Sequence, residues 1–167
     1  LELGGKNSTV VLDDADPDLA ASNVAWGAYL HQGQICMATG TVLAQRKIAR
    51  DLTERLVAKA KNLPVGDPSA GPCALGPIIS AGQLDRIDGI VKDAVAKGAV
   101  LRAGGTYDRL FYSPTVLEGV RPDMRVYTEE VFGPVLSVLT FDTDEEAIAM
   151  NNATEYGLST GVITQSV

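Results

Sequence analysis

The stretch Val135–Phe141, VLSVLTF, is the clearest strand in the chain and the starting point for predicting the fold. Its apolar and β-branched residues are typical of a strand. Thr143 and Glu146 follow at the spacing of a capping box, which predicts a helix that we expect Gly157 to close. Thr160–Thr164 then reads as another strand, so this part of the chain is a strand–helix–strand unit.

The same alternation of strand and helix extends over the rest of the sequence. An Asp-Pro pair and a Ser-x-x-Gln pattern start two further helices. The predicted strands are Thr9–Leu12, Thr41–Gln45, Ala99–Arg102 and an extended Tyr112–Leu117 that Pro114 would place at an edge. The predicted helices run from Asp16 to about Leu30, from Arg46 to Pro64 and from Ser80 to Gly98.

Strands that alternate with helices of ten or more residues predict an α/β fold, a mostly parallel sheet flanked by helices. Functional sites in open sheets of this kind are expected at the carboxyl ends of the strands. The segment Tyr127–Pro134, polar and then Gly-Pro, is expected to be a loop.

Composition restricts the class of protein. The chain has 167 residues, 46% of them hydrophobic and 21% charged, which suits one domain with a real core. The net charge is −7, without a basic block, so nucleic acid and anionic membranes are not expected partners. Two cysteines are too few for a disulfide scaffold, and no spacing fits a metal site.

Cys36 is the candidate nucleophile. An isolated cysteine is more often a buried core residue, but Gly33 and Gly40 flank this one in a predicted loop. Small residues let backbone N–H groups approach a substrate carbonyl and stabilise an oxyanion. His31 continues the apolar face of the preceding helix, so we interpret it as a packed or capping residue rather than as a partner of the thiol. Cys73 lies in a long connection and is interpreted as incidental.

Two other places could carry chemistry. Glu2 precedes a Gly-Gly pair and is either an exposed terminal charge or a general base that activates water. Glu130 and Phe132 lie two apart in an extended segment and so point to the same side. Phe132 is then either a core residue or a cover for an apolar ring, and Glu130 is either solvated or an acceptor for sugar hydroxyls. The triplet Asn7–Thr9 matches the glycosylation pattern, which we expect to be a chance match.

Three separated motifs resemble the signature blocks of the NAD(P)-dependent aldehyde dehydrogenase superfamily. They are ELGGKN at 2–7, GQIC at 33–36 and EEVFGPV at 129–135, in the order and at about the spacing of that family. NATEYGL at 152–158 resembles a fourth block. YLHQGQICM at 29–37 further resembles the branch that oxidises aromatic aldehydes such as benzaldehyde, salicylaldehyde or vanillin.

The resemblance implies a role for each matching residue. Cys36 would be the nucleophile that forms a thiohemiacetal and then a thioester, and Glu2 the general base that hydrolyses it. Glu130 would bind the nicotinamide ribose and Phe132 would pack near the nicotinamide. Leu3 and Gly4 would line the same pocket. The implied cofactor is NAD, with NADP possible, and the implied substrate is a small aldehyde.

The resemblance also implies that residues 1–167 are part of a catalytic domain. The nucleotide-binding domain, which would hold most of the cofactor, and the C-terminal oligomerisation segment are then expected outside this sequence. The parent protein would be a cytoplasmic homodimer or homotetramer, and the chain alone would be inactive. Two alternatives remain open: a cofactor-independent thiol esterase or acyl-transfer enzyme that uses Cys36, and a non-catalytic module derived from this fold.

Overall fold

A computed structural model describes residues 1 and 3–166 of the chain. Its strands are β1 (Asn7–Val11), β2 (Thr39–Gln45), β3 (Val100–Ala103), β4 (Tyr107–Asp108), β5 (Phe111–Tyr112), β6 (Thr115–Glu118), β7 (Val135–Phe141) and β8 (Thr160–Ile163). Its helices are α1 (Pro17–Tyr29), α2 (Arg46–Asn62), α3 (Ala81–Ala96), α4 (Arg125–Thr128) and α5 (Asp144–Asn152). A 3₁₀ turn at Leu30–Gly33 follows α1.

The main sheet of the described residues has the strand order β3-β6-β7-β2-β1-β8. All neighbouring strands in it are parallel except β3 and β6, which are antiparallel. β4 and β5 form a separate small hairpin. The predicted α/β fold with a mostly parallel sheet is therefore confirmed.

Hydrophobic residues on the two faces of the sheet belong to two separate cores, since side chains alternate along a strand. Val11 and Val42 pack with α1 and α2 on one face. Val10 and Leu43 pack with α3 and α5 on the other. Burial of each such side chain is worth about 1.5–3 kcal/mol, so both helical layers hold the central strands in place. Among the described helices, none has the length and hydrophobicity that crossing a membrane requires.

The predicted helix starts are confirmed by their caps. The Asp16 carboxylate accepts a hydrogen bond from the Leu19 amide at 2.8 Å, with Pro17 at the first helical position. The Ser80 hydroxyl accepts one from the Gln83 amide at 3.2 Å. The Thr143 hydroxyl accepts one from the amide three residues further on at 3.3 Å. These acceptors satisfy N–H groups that a helix leaves free at its start.

Three local predictions were wrong. Pro114 does not lie at a sheet edge: it precedes β6, an inner strand, whose ladder begins only at Thr115, so the proline removes no hydrogen bond. The segment Tyr127–Pro134 is a loop from Glu129 onward, as predicted, but its first two residues are the end of the short helix α4. Helix α5 ends at Asn152, before Gly157, because the following residues turn towards β8.

Candidate active site

The residues predicted to carry chemistry meet at the amino ends of the strands, not at the carboxyl ends. Gly4 leads into β1, Cys36 into β2, and Glu130 and Phe132 into β7. These three strands are neighbours and run parallel, so the segments that enter them converge on one edge. The expected location at the carboxyl ends was wrong because the reactive segments enter these strands rather than leave them.

Cys36 lies in a tight turn, half-buried, with a free thiol. The Ala38 amide donates to the Ile35 carbonyl at 3.0 Å and closes the turn, with Cys36 and Met37 at its two central positions. A side chain at the tip of a turn is available to a ligand, whereas one within the following strand is part of the sheet.

His31 is not packed as predicted. Helix α1 ends at Tyr29, and His31 and Gln32 follow with positive φ angles of 50° and 59°. This change of backbone direction takes His31 off the apolar face of the helix and leaves its ring exposed. The packed role predicted for His31 is therefore wrong, whereas the capping role and the interpretation that His31 is not a partner of the thiol stay predictions.

Gly33 lets the Cys36 segment lie against the segment that enters β7. Its φ is +65°, and a Cβ built on it would lie 2.2 Å from the Gly133 carbonyl oxygen. A residue with a side chain would therefore be strained in its backbone and would also push the two segments apart. The glycine of the GQIC motif thus allows two segments of the candidate site to pack closely against each other.

Asn7 connects β1 to the Cys36 turn. Its Nδ2 donates to the Cys36 carbonyl at 2.8 Å and to the Ala38 carbonyl at 3.0 Å. Its Oδ1 accepts from the Ser159 amide at 3.1 Å, and the residue is only 5% exposed. A buried amide with these partners is not available for glycosylation, as the chance interpretation of the triplet predicted.

The Gly-Gly pair brings the Glu130 carboxylate beside the Cys36 turn. The Gly5 amide donates to Glu130 Oε1 at 2.9 Å. A Cβ built on Gly5 would lie 2.3 Å from the Cys36 carbonyl oxygen, and one built on Gly4 would lie 2.9 Å from Glu130 Oε2. Leu3 precedes this pair and is 77% exposed, so its side chain is free to meet a ligand or another segment.

Helix α3 holds the backbone of the Glu130 segment. Arg86 donates to the Glu130 carbonyl at 2.7 Å and to the Val131 carbonyl at 2.9 Å. Gln83 donates to the Phe132 carbonyl at 2.9 Å. Phe132 has a φ of 54°, which is uncommon for a residue with a large side chain, so these contacts fix a strained backbone.

Two further charges lie beside Glu130. Glu129 contacts Arg125 at 2.7 Å and Arg86 at 3.3 Å, and the hydrogen bond from Arg125 holds the pKa of Glu129 below its usual value. Lys6 donates to the Val126 carbonyl at 2.5 Å. Burial lowers the pKa of Lys6 to about 8, although Glu129 and Glu130 favour its charged form.

A narrow cavity lies where these segments meet. Its volume is about 20 Å³, room for about one water molecule, and Cys36, Glu130 and Phe132 are all in its wall. A second, open groove of about 420 Å³ borders the Cys36 turn at Ile35 and Met37, and its lining includes Trp26 as well as polar residues of β1 and β8. Cys36 lines the narrow cavity, whereas its two chain neighbours line the open groove.

The structure brings Cys36, Glu130, Phe132 and Gly4 together, at the opposite ends of the strands from those predicted, and adds neighbours that the sequence did not assign to a site. Asn7 was noticed in a glycosylation-like triplet and, with Gly5 and Lys6, in the ELGGKN motif, but none of the three was given a role beside Cys36. Gln83 was noticed only in a helix-start pattern, and Arg86 carries no signal in one sequence. Glu2, the predicted general base, lies outside the described residues.

Comparison with known proteins identifies the family. The model of the aldehyde dehydrogenase family matches residues 1–167. A vanillin dehydrogenase of Amycolatopsis sp. is 50% identical over 100% of this chain and 34% of its own length. The benzaldehyde dehydrogenase (NAD+) of Pseudomonas putida is 46% identical over 100% of this chain and 34% of its own length. The chain thus spans about a third of the length of these curated relatives.

Solved structures of similar proteins point to the same family. A salicylaldehyde dehydrogenase from Pseudomonas putida, in complex with salicylaldehyde, superimposes with a TM-score of 0.95 at 43% identity, over 99% of this chain and 34% of that one. An NAD-dependent aldehyde dehydrogenase from Sinorhizobium meliloti has a TM-score of 0.95 at 41% identity, with the same coverage of 99% and 34%. The resemblance of the sequence motifs is confirmed, and this chain belongs to the aldehyde dehydrogenase family.

Proposed function

We propose that this chain supplies the nucleophile and the nicotinamide-side contacts for oxidation of an aromatic aldehyde to its carboxylic acid with NAD+ or NADP+. The observation that carries the proposal is the convergence of Cys36, the Gly4–Gly5 pair and the Glu130–Phe132 segment on one edge of the sheet. The relatives named for vanillin, benzaldehyde and salicylaldehyde support an aromatic substrate.

The residues present fit a nicotinamide ribose. Glu130 has one carboxylate oxygen on the Gly5 amide, and its second oxygen retains acceptor capacity for sugar hydroxyls. Gly4 offers bare backbone beside this carboxylate, Phe132 offers an aromatic face, and the exposed Leu3 offers apolar surface. The nicotinamide, when bound, supplies the acceptor for the hydride that leaves the aldehyde carbon.

The proposed chemistry of the chain centres on the Cys36 sulfur. The thiolate adds to the aldehyde carbon and forms a thiohemiacetal, whose oxyanion accepts a hydrogen bond from the Cys36 backbone N–H. After hydride loss the same sulfur holds the acyl group as a thioester. Glu2 then takes a proton from water, the resulting hydroxide attacks the thioester carbon, and the acid leaves as the Cys36 thiolate is regenerated.

The apolar part of the open groove that borders the Cys36 turn is the proposed place for the aromatic ring. Helix α1 contributes Trp26 to its lining and the following 3₁₀ turn contributes Leu30, while Ile35 and Met37, the neighbours of the nucleophile, complete the apolar part. Trp26 is 68% exposed and Met37 is 58% exposed, an unusual exposure for such large apolar side chains. A flat aromatic substrate would cover this surface and would bring its aldehyde carbon to the turn that carries the thiol.

The proposal extends to the protein as a whole. We propose that residues 1–167 form part of the catalytic domain of a cytoplasmic homo-oligomer, and that contacts to the adenosine half of the cofactor come from sequence outside these residues. The chain on its own is then expected to bind NAD weakly and to oxidise no aldehyde. Measurable NAD-dependent oxidation of benzaldehyde by the purified 167-residue chain would contradict this part of the proposal.

The experiment that tests the activity compares cysteine variants of the full gene product that contains this chain. With vanillin, benzaldehyde and salicylaldehyde as substrates, we expect NADH or NADPH formation that Cys36→Ser reduces at least about a thousandfold and that Cys73→Ser leaves unchanged. Hydrolysis of an aryl ester without cofactor and no aldehyde oxidation would favour the thiol esterase. Inertness in both assays, with equally slow alkylation of Cys36 and Cys73, would favour the non-catalytic module.

A further inference from the structure

We propose that Asn7 is a positioning residue that holds the Cys36 turn in a single backbone conformation and thereby sets the reactivity of the thiol. The inference rests on the proposed function, since it assigns Asn7 to the same nucleophile. Its basis is one buried side chain amide that donates to two carbonyl groups of the same turn.

One peptide group of the Cys36 turn can rotate. The turn runs from Ile35 to Ala38, and the hydrogen bond between these ends leaves the peptide that joins Cys36 and Met37 free to rotate. The two common turn types differ mainly by a flip of this central peptide, which changes ψ of the second residue and φ of the third. Met37 is not among the described residues with positive φ, so the turn is not in the flipped, type II arrangement.

Asn7 acts on this peptide directly. The carbonyl that its Nδ2 binds at 2.8 Å is that of Cys36, which belongs to the central peptide. A flip would turn this carbonyl away from Asn7 and leave one buried N–H group of its amide without a partner, which disfavours the flipped turn. Because the flip also changes ψ at Cys36, it would redirect the backbone to which the thiol is attached.

Asn7 is itself held from the other side. The Ser159 amide donates to its Oδ1 at 3.1 Å, which fixes which end of the amide faces the turn. β1 lies between β2 and β8, so the side chain is anchored on an inner strand. Aspartate has nearly the same shape but no donor, so at this position it would place a carboxylate against two carbonyl oxygens.

The alternative is that Asn7 supports only the fold. Ser8 offers a matched control, because it is the next residue in β1 and is also buried. Its hydroxyl donates to Asn151 Oδ1 at 2.5 Å and does not contact the Cys36 turn. Ser8→Ala therefore removes a buried hydrogen bond from the same strand without touching the nucleophile.

The experiment measures the alkylation of Cys36 by iodoacetamide in the full gene product. Cys36 and Cys73 peptides are quantified by mass spectrometry between pH 6 and pH 9, and kcat and KM are determined for an aromatic aldehyde. The variants are Asn7→Asp, the milder Asn7→Ser, and Ser8→Ala, all assayed well below their melting temperatures.

We expect both Asn7 variants to change the alkylation rate of Cys36 by about tenfold or more and to alter its pH profile. Cys73 should react as before, kcat should fall with little change in KM, and Ser8→Ala should react like the unsubstituted protein. Equal alkylation profiles in all proteins would overturn the proposal. So would loss of the fold in both Asn7 variants, since Asn7 would then serve the fold rather than the thiol.

Discussion

The turn that carries Cys36 makes several close contacts through backbone groups. The Cys36 carbonyl is held by Asn7 and packs against the Gly5 backbone, and the Gly33 segment that precedes the turn packs against another glycine. Contacts of this kind depend on the absence of side chains at particular positions. Single-residue changes that add only a methyl group are therefore informative.

Gly5→Ala should displace the nucleophile. The added Cβ would lie 2.3 Å from the Cys36 carbonyl oxygen, so the turn or β1 must move, with an expected loss of stability of about 1–3 kcal/mol. We expect the kcat of the full gene product to fall by about tenfold or more. Gly66→Ala is the control, because a Cβ there meets no atom within 4 Å. Retention of full activity by Gly5→Ala would show that the close approach is not needed.

Lys6 should make stability depend on pH in the alkaline range. Its pKa is about 8 in the folded protein against 10.5 for a free lysine, because burial disfavours the charge. Between these values the unfolded chain binds more protons, so the free energy of unfolding rises with pH, by at most about 1.4 kcal/mol per unit. Below pH 8 both states are protonated and this contribution is constant.

The measurement is urea unfolding from pH 7 to pH 10.5. The difference in stability between the unsubstituted protein and Lys6→Met should increase with pH, whereas Lys61→Met, a change at an exposed position on α2, should give a constant difference. A constant difference for Lys6→Met as well would mean that the ammonium of Lys6 is solvated in the folded protein.

At the scale of elements, α3 acts on the site without contributing a residue to the chemistry. Arg86 donates to two successive carbonyls of the segment that enters β7, and Gln83 donates to the next. These bonds determine where the Glu130 carboxylate lies relative to Gly4 and Gly5. The helix therefore connects one core of the protein to the proposed ribose contact.

Arg86→Met should weaken binding of the cofactor. Loss of the two hydrogen bonds from Arg86 to the Glu130 and Val131 carbonyls, each worth about 0.5–1.5 kcal/mol, predicts a rise of about fivefold or more in KM for NAD+. The effect on kcat should be smaller. Lys92→Met is the control, since Lys92 lies on the same helix with its ammonium exposed and paired with Asp88. An equal change in both variants would indicate a general effect on α3.

Over the whole molecule, the sequence predicted the fold well because periodicity and caps are local. Val135–Phe141 is a strand over the predicted bounds, and the helix starts at Asp16, Ser80 and Thr143 are capped as predicted. The predicted helix bounds were wrong where the chain changes direction without a proline or glycine, as at the end of α5. The packed role predicted for His31 was wrong for the same reason, because helix α1 ends at Tyr29 and its apolar face ends there too.

The site was less predictable because it is made by tertiary contacts. Cys36 and Glu130 could be picked from their own neighbours in sequence, but the bond from Asn7 to the Cys36 carbonyl spans 29 positions and leaves no local pattern. The prediction that the site lies at the carboxyl ends of the strands was also wrong, because the general rule for open sheets does not say which segments carry the candidate residues. Only the order β7-β2-β1 brings the three motifs together.

We propose that Cys36 becomes acylated during aldehyde oxidation and that Glu2 releases the acid. The most direct measurement is acid quenching of Glu2→Gln in the full gene product, mixed with benzaldehyde and NAD+, followed by mass spectrometry of the cysteine peptides. We expect a burst of about one NADH per site and a benzoyl group on Cys36, with Cys73 unmodified. NADH formation with Cys36 unmodified, or a benzoyl group on Cys73, would contradict the claim.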